Sequence, residues 1–379
     1  MKTRLLPLIA AASFALQGCA TINREPFTEA EQHDARIVGI PDARFWADTP
    51  DAGRKMAPAF VDERGDTNML ALSGGSDNGA YGAGLLNGWT KAGNRPEFSI
   101  VTGVSTGALI APFAFLGADE DPTLKRIYTT VSAKDIFRPR FPLAIPFSPS
   151  AASTEPLTRL IASAVTDALV DRIGLEYGRG RRLFIGTANL DAQRMVIWNM
   201  GAIAASRAPS RYALFRQLLL ASSSIPAVFP PVMIEANAAG RKISEMHVDG
   251  GTTAQILTLP DALITATGSP SRPSHLHVYL IVNNKLGGEF HLANTKTIPI
   301  ASQAFSLNLR SSLAGTVNLS YLYAQAHGID FNISYIAKNY PGDDRKTFDT
   351  AYMQGLFAHG LRLAQSGAFW DKRPPEPER

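Results

Sequence analysis

The sequence predicts an α/β domain with a mostly parallel central sheet flanked by helices, and three observations carry that prediction. Twice in succession a short apolar strand runs into a glycine turn and then a helical stretch: residues 69–72, 73–79 and 80–93, then 98–102, 103–107 and a small-residue helix through Leu116. The apolar run at 276–282 suits a central strand covered on both faces. The chain has 379 residues, 45% hydrophobic and 18% charged, enough to bury a large core.

Residues 1–18 read as an address rather than a fold element. Lys2 and Arg4 precede an apolar run, 5–16, with the length of a signal-peptide core and too short to span a bilayer. The run closes on Leu16-Gln17-Gly18-Cys19, which resembles the bacterial lipobox, with Gln17 the less usual residue. That resemblance implies that Cys19 is acylated and becomes the first mature residue. Several acyl chains on it would anchor the protein stably to a membrane surface. Ala20, where an aspartate would retain the protein at the inner membrane, points to the outer membrane of a bacterial envelope. Cys19 is also the single cysteine, which excludes an internal disulfide framework.

Residues 19–67 are polar and punctuated by Pro26, Pro41, Pro50 and Pro58, so a tether and a strap are expected, with Phe45 and Trp46 docking on the domain surface. Residues 68–370 form the globular domain. Beyond the two strand–turn–helix units, periodicity predicts one amphipathic helix over 157–173 and strands over 182–188 and 195–198 around an Asp191-Ala192 turn. A helix over 211–221 follows, then a loop forced by Pro226, Pro230 and Pro231. Short strands are expected at 232–235 and 246–248, a helix over 301–325, a strand over 330–336 and a last helix over 350–365. The tail, 371–379, is rich in proline and charge and is expected to be disordered.

Net charge is +4, without the basic stripe of a nucleic-acid binder. His275, His277, His327 and His359 lack the spacing of a helical metal site and are expected to be structural or exposed. No metal and no cofactor are therefore expected, and the sequence carries no signal for oligomeric state.

Three pieces carry chemistry. Gly103-Val104-Ser105-Thr106-Gly107 is a G-x-S-x-G pentapeptide between a strand and a helix. Its glycines at 103 and 107 clear space for a sharp turn that exposes a nucleophilic serine at a helix N-terminus. Alone, it is also read as a structural turn with Ser105 as helix cap. Gly74-Gly75-Ser76-Asp77-Asn78-Gly79 follows a strand and can form a nest of main-chain N–H groups for an oxyanion. It lacks the Gly-Lys-Ser/Thr of a nucleotide loop, and in isolation it is also a plain turn. Asp249-Gly250-Gly251 leaves a strand with a carboxylate beside two residues that allow close approach, and alone it too reads as a turn.

Taken together, these pieces resemble the patatin-like phospholipase family in content and order. The segment Ala221-Ser222-Ser223-Ser224-Ile225-Pro226-Ala227-Val228-Phe229-Pro230-Pro231 resembles the one that family carries before its Asp-Gly-Gly/Ala motif. The likeness runs from Asn68 to Gly251 and continues more faintly through Phe348-Asp349, Tyr352 and Leu356. It implies a three-layer fold and a Ser–Asp dyad: Ser105 as nucleophile, Asp249 as general base, and Gly74, Gly75 and Ser76 as oxyanion donors. The substrate implied is a lipid acyl ester, cleaved with phospholipase A, lysophospholipase or esterase activity. Acyl transfer on the same acyl-enzyme, or a retired scaffold without activity, are the alternatives. Two departures stand out: Ser76 replaces a common third glycine, and Asn78 replaces a common arginine that would attract phosphate. The aromatic, basic stretch 137–147 reads either as a lid or surface-contact loop or as a core-packing loop.

Overall fold

The computed structural model describes residues 22, 24–56, 66–141, 145, 148–258, 275–288, 290, 292, 295–342 and 346–376; Cys19 and the expected signal segment lie outside them. The chain runs α1 (Glu29–Asp34), β1 (Arg44–Trp46), α2 (Pro50–Met56), β2 (Thr67–Leu72), α3 (Gly79–Lys91), β3 (Ile100–Val104) and α4 (Thr106–Leu116). Next come α5 (Asp121–Thr130), α6 (Ala133–Ile136), β4 (Arg138–Pro139), β5 (Ala152–Ser153), α7 (Glu155–Ala164) and α8 (Asp167–Gly178). Then follow β6 (Arg182–Asn189), β7 (Arg194–Asn199), α9 (Met200–Ala205), α10 (Arg211–Ser222), β8 (Val232–Ala238) and β9 (Arg241–Asp249). The last elements are β10 (Leu276–Val282), α11 (Thr297–His327), β11 (Asp330–Tyr335) and α12 (Thr350–Gln365).

The main sheet has the order β1-β7-β6-β3-β2-β10-β11, with β9 joining β6 and β8 joining β9. β6, β3, β2, β10 and β11 are mutually parallel. β2, β3 and β10 are apolar because helices cover both their faces, and two separate buried clusters lie on the two sides of the sheet. This is the expected α/β architecture.

Four details differ from the sequence reading. The helix expected over 157–173 is two helices: Thr166 breaks it, its hydroxyl accepting from the Leu169 N–H at 3.2 Å to cap α8. The short strands at 232–235 and 246–248 are parts of a longer hairpin, β8–β9, turning at Ala239 and Gly240. Both turn residues have positive φ, 50° and 83°, and alanine is a poor advertisement for that conformation. The segment expected as tether and strap contributes β1, an edge strand antiparallel to β7 with Phe45 buried beneath it. The tail is ordered at its start, because Asp371 exchanges main-chain hydrogen bonds with Ile333 at 2.9 Å and Lys372 reaches Asp330 at 2.6 Å.

Helices α3 and α12 pack on each other at main-chain distance. A Cβ at Gly84 would stand 2.1 Å from the Phe357 carbonyl oxygen, and one at Gly360 would stand 2.5 Å from that of Tyr81. α3 begins directly after the glycine turn at 74–79, so this contact fixes the turn against the last helix.

Candidate active site

Strand β6 brings the two candidate side chains together. Its first residues pair with β3 in parallel, ending with Gly186 opposite Val104. Its last three pair with β9 in antiparallel fashion, beginning with Thr187 opposite Asp249. β7 occupies the other flank, so β3 and β9 approach along one flank from opposite ends and stop on adjacent rungs. Ser105 is the residue after β3, and Asp249 is the last of β9. The Ser105 hydroxyl Oγ donates to Asp249 Oδ2 at 2.6 Å.

The turn at Ser105 is strained and braced. Its φ of 55° is costly for any residue with a side chain, on the order of 1–3 kcal/mol. The Ser105 N–H donates to Ser222 Oγ at 3.0 Å, and that hydroxyl donates to the Gly186 carbonyl at 2.7 Å. Ser222 thus ties the turn to the rung of β6 where the strands meet. The flanking glycines are obligatory for packing, since a Cβ at 107 would lie 2.2 Å from the Leu72 carbonyl oxygen, and one at 103 would lie 2.5 Å from that of Gly107. The buried serine opens α4, whose N-terminal partial charge favours an anion there.

Asp249 is buried among neutral donors. Its Oδ1 accepts the Gly251 N–H at 2.7 Å, and its own N–H donates to the Ser224 carbonyl at 2.9 Å. Gly250 fits because a Cβ there would lie 2.4 Å from the Gly186 carbonyl oxygen. Burial raises the carboxyl to about 7, against the opposing pull of the Ser105 and Gly251 hydrogen bonds. A buried carboxyl poised near neutrality, bonded to a serine hydroxyl, has what a general base requires.

The glycine turn is held from the end of β10. Asn283 Nδ2 donates to the Ser73 carbonyl and Asn284 Nδ2 to the Gly74 carbonyl, both at 2.9 Å. Gly75 has φ 157°, and a Cβ there would lie 2.1 Å from the Asn283 carbonyl oxygen, so no other residue fits. One expectation is corrected: the Gly74 N–H is occupied by the Gln255 carbonyl at 2.8 Å and is not available to an oxyanion. Among the described residues nothing accepts from the N–H groups of Gly75 and Ser76, and both residues line the cavity beside Ser105. The Asp77 carboxylate accepts the Phe348 N–H at 2.8 Å, and the Asn78 side-chain carbonyl accepts the Tyr352 hydroxyl at 2.9 Å. The faint likeness at 348–352 therefore falls on residues that hold the turn.

Ser105 stands between two cavities. One, of about 350 Å3, contains Asp249, Gly75 and Ser76 and is closed on one side by Phe305, Leu309 and Arg310 of α11. The other, of about 60 Å3, is apolar, walled by Leu109, Ile127, Leu157, Phe229 and Met353. Among the described residues no histidine lines either one. His277 bonds Asp330, His327 stacks on Tyr323 and His359 packs on Tyr81 and Tyr340. Of the stretch 137–147, residues 142–144, 146 and 147 lie outside the described residues, while Phe137 packs on Phe229 and Phe348 and Phe141 is exposed.

Sequence reading missed several residues that matter here. Ser222 and Ser224 were visible only as part of a family-like segment, and their roles depend on which carbonyls lie opposite. Asn283 and Asn284, two amides at a strand exit, were a usable signal, as was Arg310, the lone charge between Lys296 and His327.

A family model described as patatin-like phospholipase matches residues 70–260, half of the chain. Among solved structures, VipD from Legionella pneumophila aligns over 80% of this chain and 67% of its own length, at 10% identity and a TM-score of 0.37. No curated protein matches the chain.

Proposed function

Because this chain belongs to the patatin-like phospholipase family, and with it to the lipid acyl hydrolases, we propose that it cleaves lipid esters through a Ser105–Asp249 dyad while anchored to the bacterial envelope at Cys19. The observation that carries the reading is the 2.6 Å hydrogen bond from Ser105 to a buried carboxyl whose other described partner is a main-chain amide. Asp249 accepts the hydroxyl proton as Ser105 Oγ attacks the ester carbonyl carbon. The N–H groups of Gly75 and Ser76 receive the oxyanion, each such donor contributing roughly 3 kcal/mol in comparable sites. The tetrahedral adduct collapses, the leaving alkoxide takes the proton from Asp249, and an acyl-enzyme remains. Asp249 then accepts a proton from water as the water attacks, and returns it to Ser105 as the fatty acid leaves.

The apolar cavity suits the acyl chain, and the larger one suits the rest of the lipid. Arg310 is the one cationic side chain among the residues lining the larger cavity. It supports a phosphate-bearing ester even though Asn78 stands where an arginine is common. The test is hydrolysis of nitrophenyl butyrate and labelling by a fluorophosphonate probe. The wild-type chain is expected to show both, and Ser105→Ala neither; equal turnover by the variant would remove the reading. Palmitate incorporation that vanishes in Cys19→Ser tests the anchor.

A further inference from the structure

Among the described residues, the long helix α11 buries side chains in its C-terminal half only. Its buried side chains, Leu313, Val317, Ser320 and Ala324, recur at helical spacing and lie in the C-terminal half, against the sheet. Upstream of Leu313 no described side chain of the helix is buried. Residues 297–312 make about 24 Å of helix at 1.5 Å per residue. An exposed helix of that length is ordinarily polar. This one carries Ile300, Phe305 and Leu307 in solvent, with Leu307 67% exposed. Just ahead of it Phe290 and Leu292 are 98% and 85% exposed. Scattered exposed apolar residues need no explanation, but five large ones within residues 290–307 do.

We propose that this N-terminal half of α11, with Phe290 and Leu292, docks the enzyme on a lipid surface, and the inference rests on the acyl-hydrolase reading. Two observations select a lipid surface over other occupants. The patch is continuous with the substrate cavity: Phe305, Leu309 and Arg310 form both its inner edge and the wall facing Ser105. Its charge is net positive as well, since residues 285–327 contain Lys285, Lys296 and Arg310 against the single acid Glu289. Apolar side chains with an excess of cations around them suit the boundary of an anionic bilayer. No described helix is long and apolar enough to cross a membrane, so the element lies in the interface. Docked there, it delivers a lipid to the cavity without the lipid entering water.

The test uses the full chain carrying Cys19→Ser, so that no acyl anchor contributes, and vesicles of phosphatidylglycerol and phosphatidylethanolamine. Ile300→Asp combined with Leu307→Asp alters residues outside the cavity. The expected result is at least about a tenfold loss of vesicle flotation with nitrophenyl butyrate turnover unchanged. Phe290→Ser with Leu292→Ser, outside the helix, should give a loss in the same direction and guards against a helix that fails to form. Unchanged flotation in both double variants overturns the proposal. So does a parent chain that sediments as a dimer and becomes monomeric in the variants, because a second copy would then cover the patch. Loss of flotation in a chain whose parent hydrolyses no ester would support docking and remove the acyl-hydrolase reading instead.

Discussion

Two acids on one strand, Glu245 and Asp249, are both buried and behave in opposite ways. They share a face of β9 with His247 between them. Glu245 is gripped by the Arg44 guanidinium of β1 and bonded to His247 at 3.3 Å. Burial alone would raise its carboxyl, but His247 and Arg44 outweigh it and hold the group down at about 2. Among the described residues Asp249 has a hydroxyl and an amide for partners and no cation, and burial takes it up to about 7. Burial supplies the perturbation in both places; the presence of a cation decides its sign. The first arrangement makes a permanent anion that pins the edge strand to β9, and the second makes a base that can exchange its proton near neutral pH.

The sharpest way to break this comparison is Asp249→Asn. Activity should fall at least about 1000-fold, as expected when a group needed in both steps is lost. The folded protein should gain stability, because the raised carboxyl costs more to ionise when folded than when unfolded. That gain is absent below about pH 4, grows as pH rises to about 7 and then levels off, with an upper bound near ~4 kcal/mol. Urea unfolding of both chains at pH 5 and 8 reads it. Arg44→Met should do the reverse, leaving the dyad intact and costing about 3–5 kcal/mol by leaving buried Glu245 without its guanidinium. The stability that Glu245 contributes is complete above its ordinary range and lost as pH falls toward about 2. Without Arg44 the loss should begin at higher pH.

A finer test gives Asp249 a cation. Gln255 and Asp249 flank the same point, since a Cβ at Gly251 would lie 2.4 Å from Gln255 Nε2 and 3.0 Å from Asp249 Oδ1. Gln255→Lys should move the acid limb of the activity profile down by about one pH unit, as a neighbouring positive charge favours the carboxylate. The smallest effect is expected at Arg310. Arg310→Gln should raise KM for phospholipid about fivefold and leave nitrophenyl butyrate turnover unchanged, the size of one half-buried charge contact.

Much of this was legible in the sequence for a physical reason. Ser105, Gly75 and Asp249 sit in conformations or contacts that admit few residue types, so their neighbours are glycines and the pattern survives in one dimension. β3 and β10 were visible because burial writes mostly apolar runs, with the half-buried His277 and Tyr279 the exceptions in β10. What escaped depends on partners far along the chain. Arg44 looks like any surface arginine until β1 lies beside β7 and Glu245 lies within reach. Gly74 looked equivalent to Gly75 as a donor, and the Gln255 carbonyl on its N–H separates them. The hairpin turn at Ala239 and Gly240 and the break at Thr166 were hidden because alanine and threonine are common in other settings.

The central claim is that a buried, cation-free Asp249 near neutrality activates Ser105. It is tested most directly by the rate of Ser105 phosphonylation by a fluorophosphonate between pH 4 and 9, in the wild-type chain and in Asp249→Asn. The rate should rise with a midpoint near pH 7 in the wild type and stay slow and flat in the variant. A wild-type midpoint near pH 4, or an unchanged titration in the variant, would contradict it.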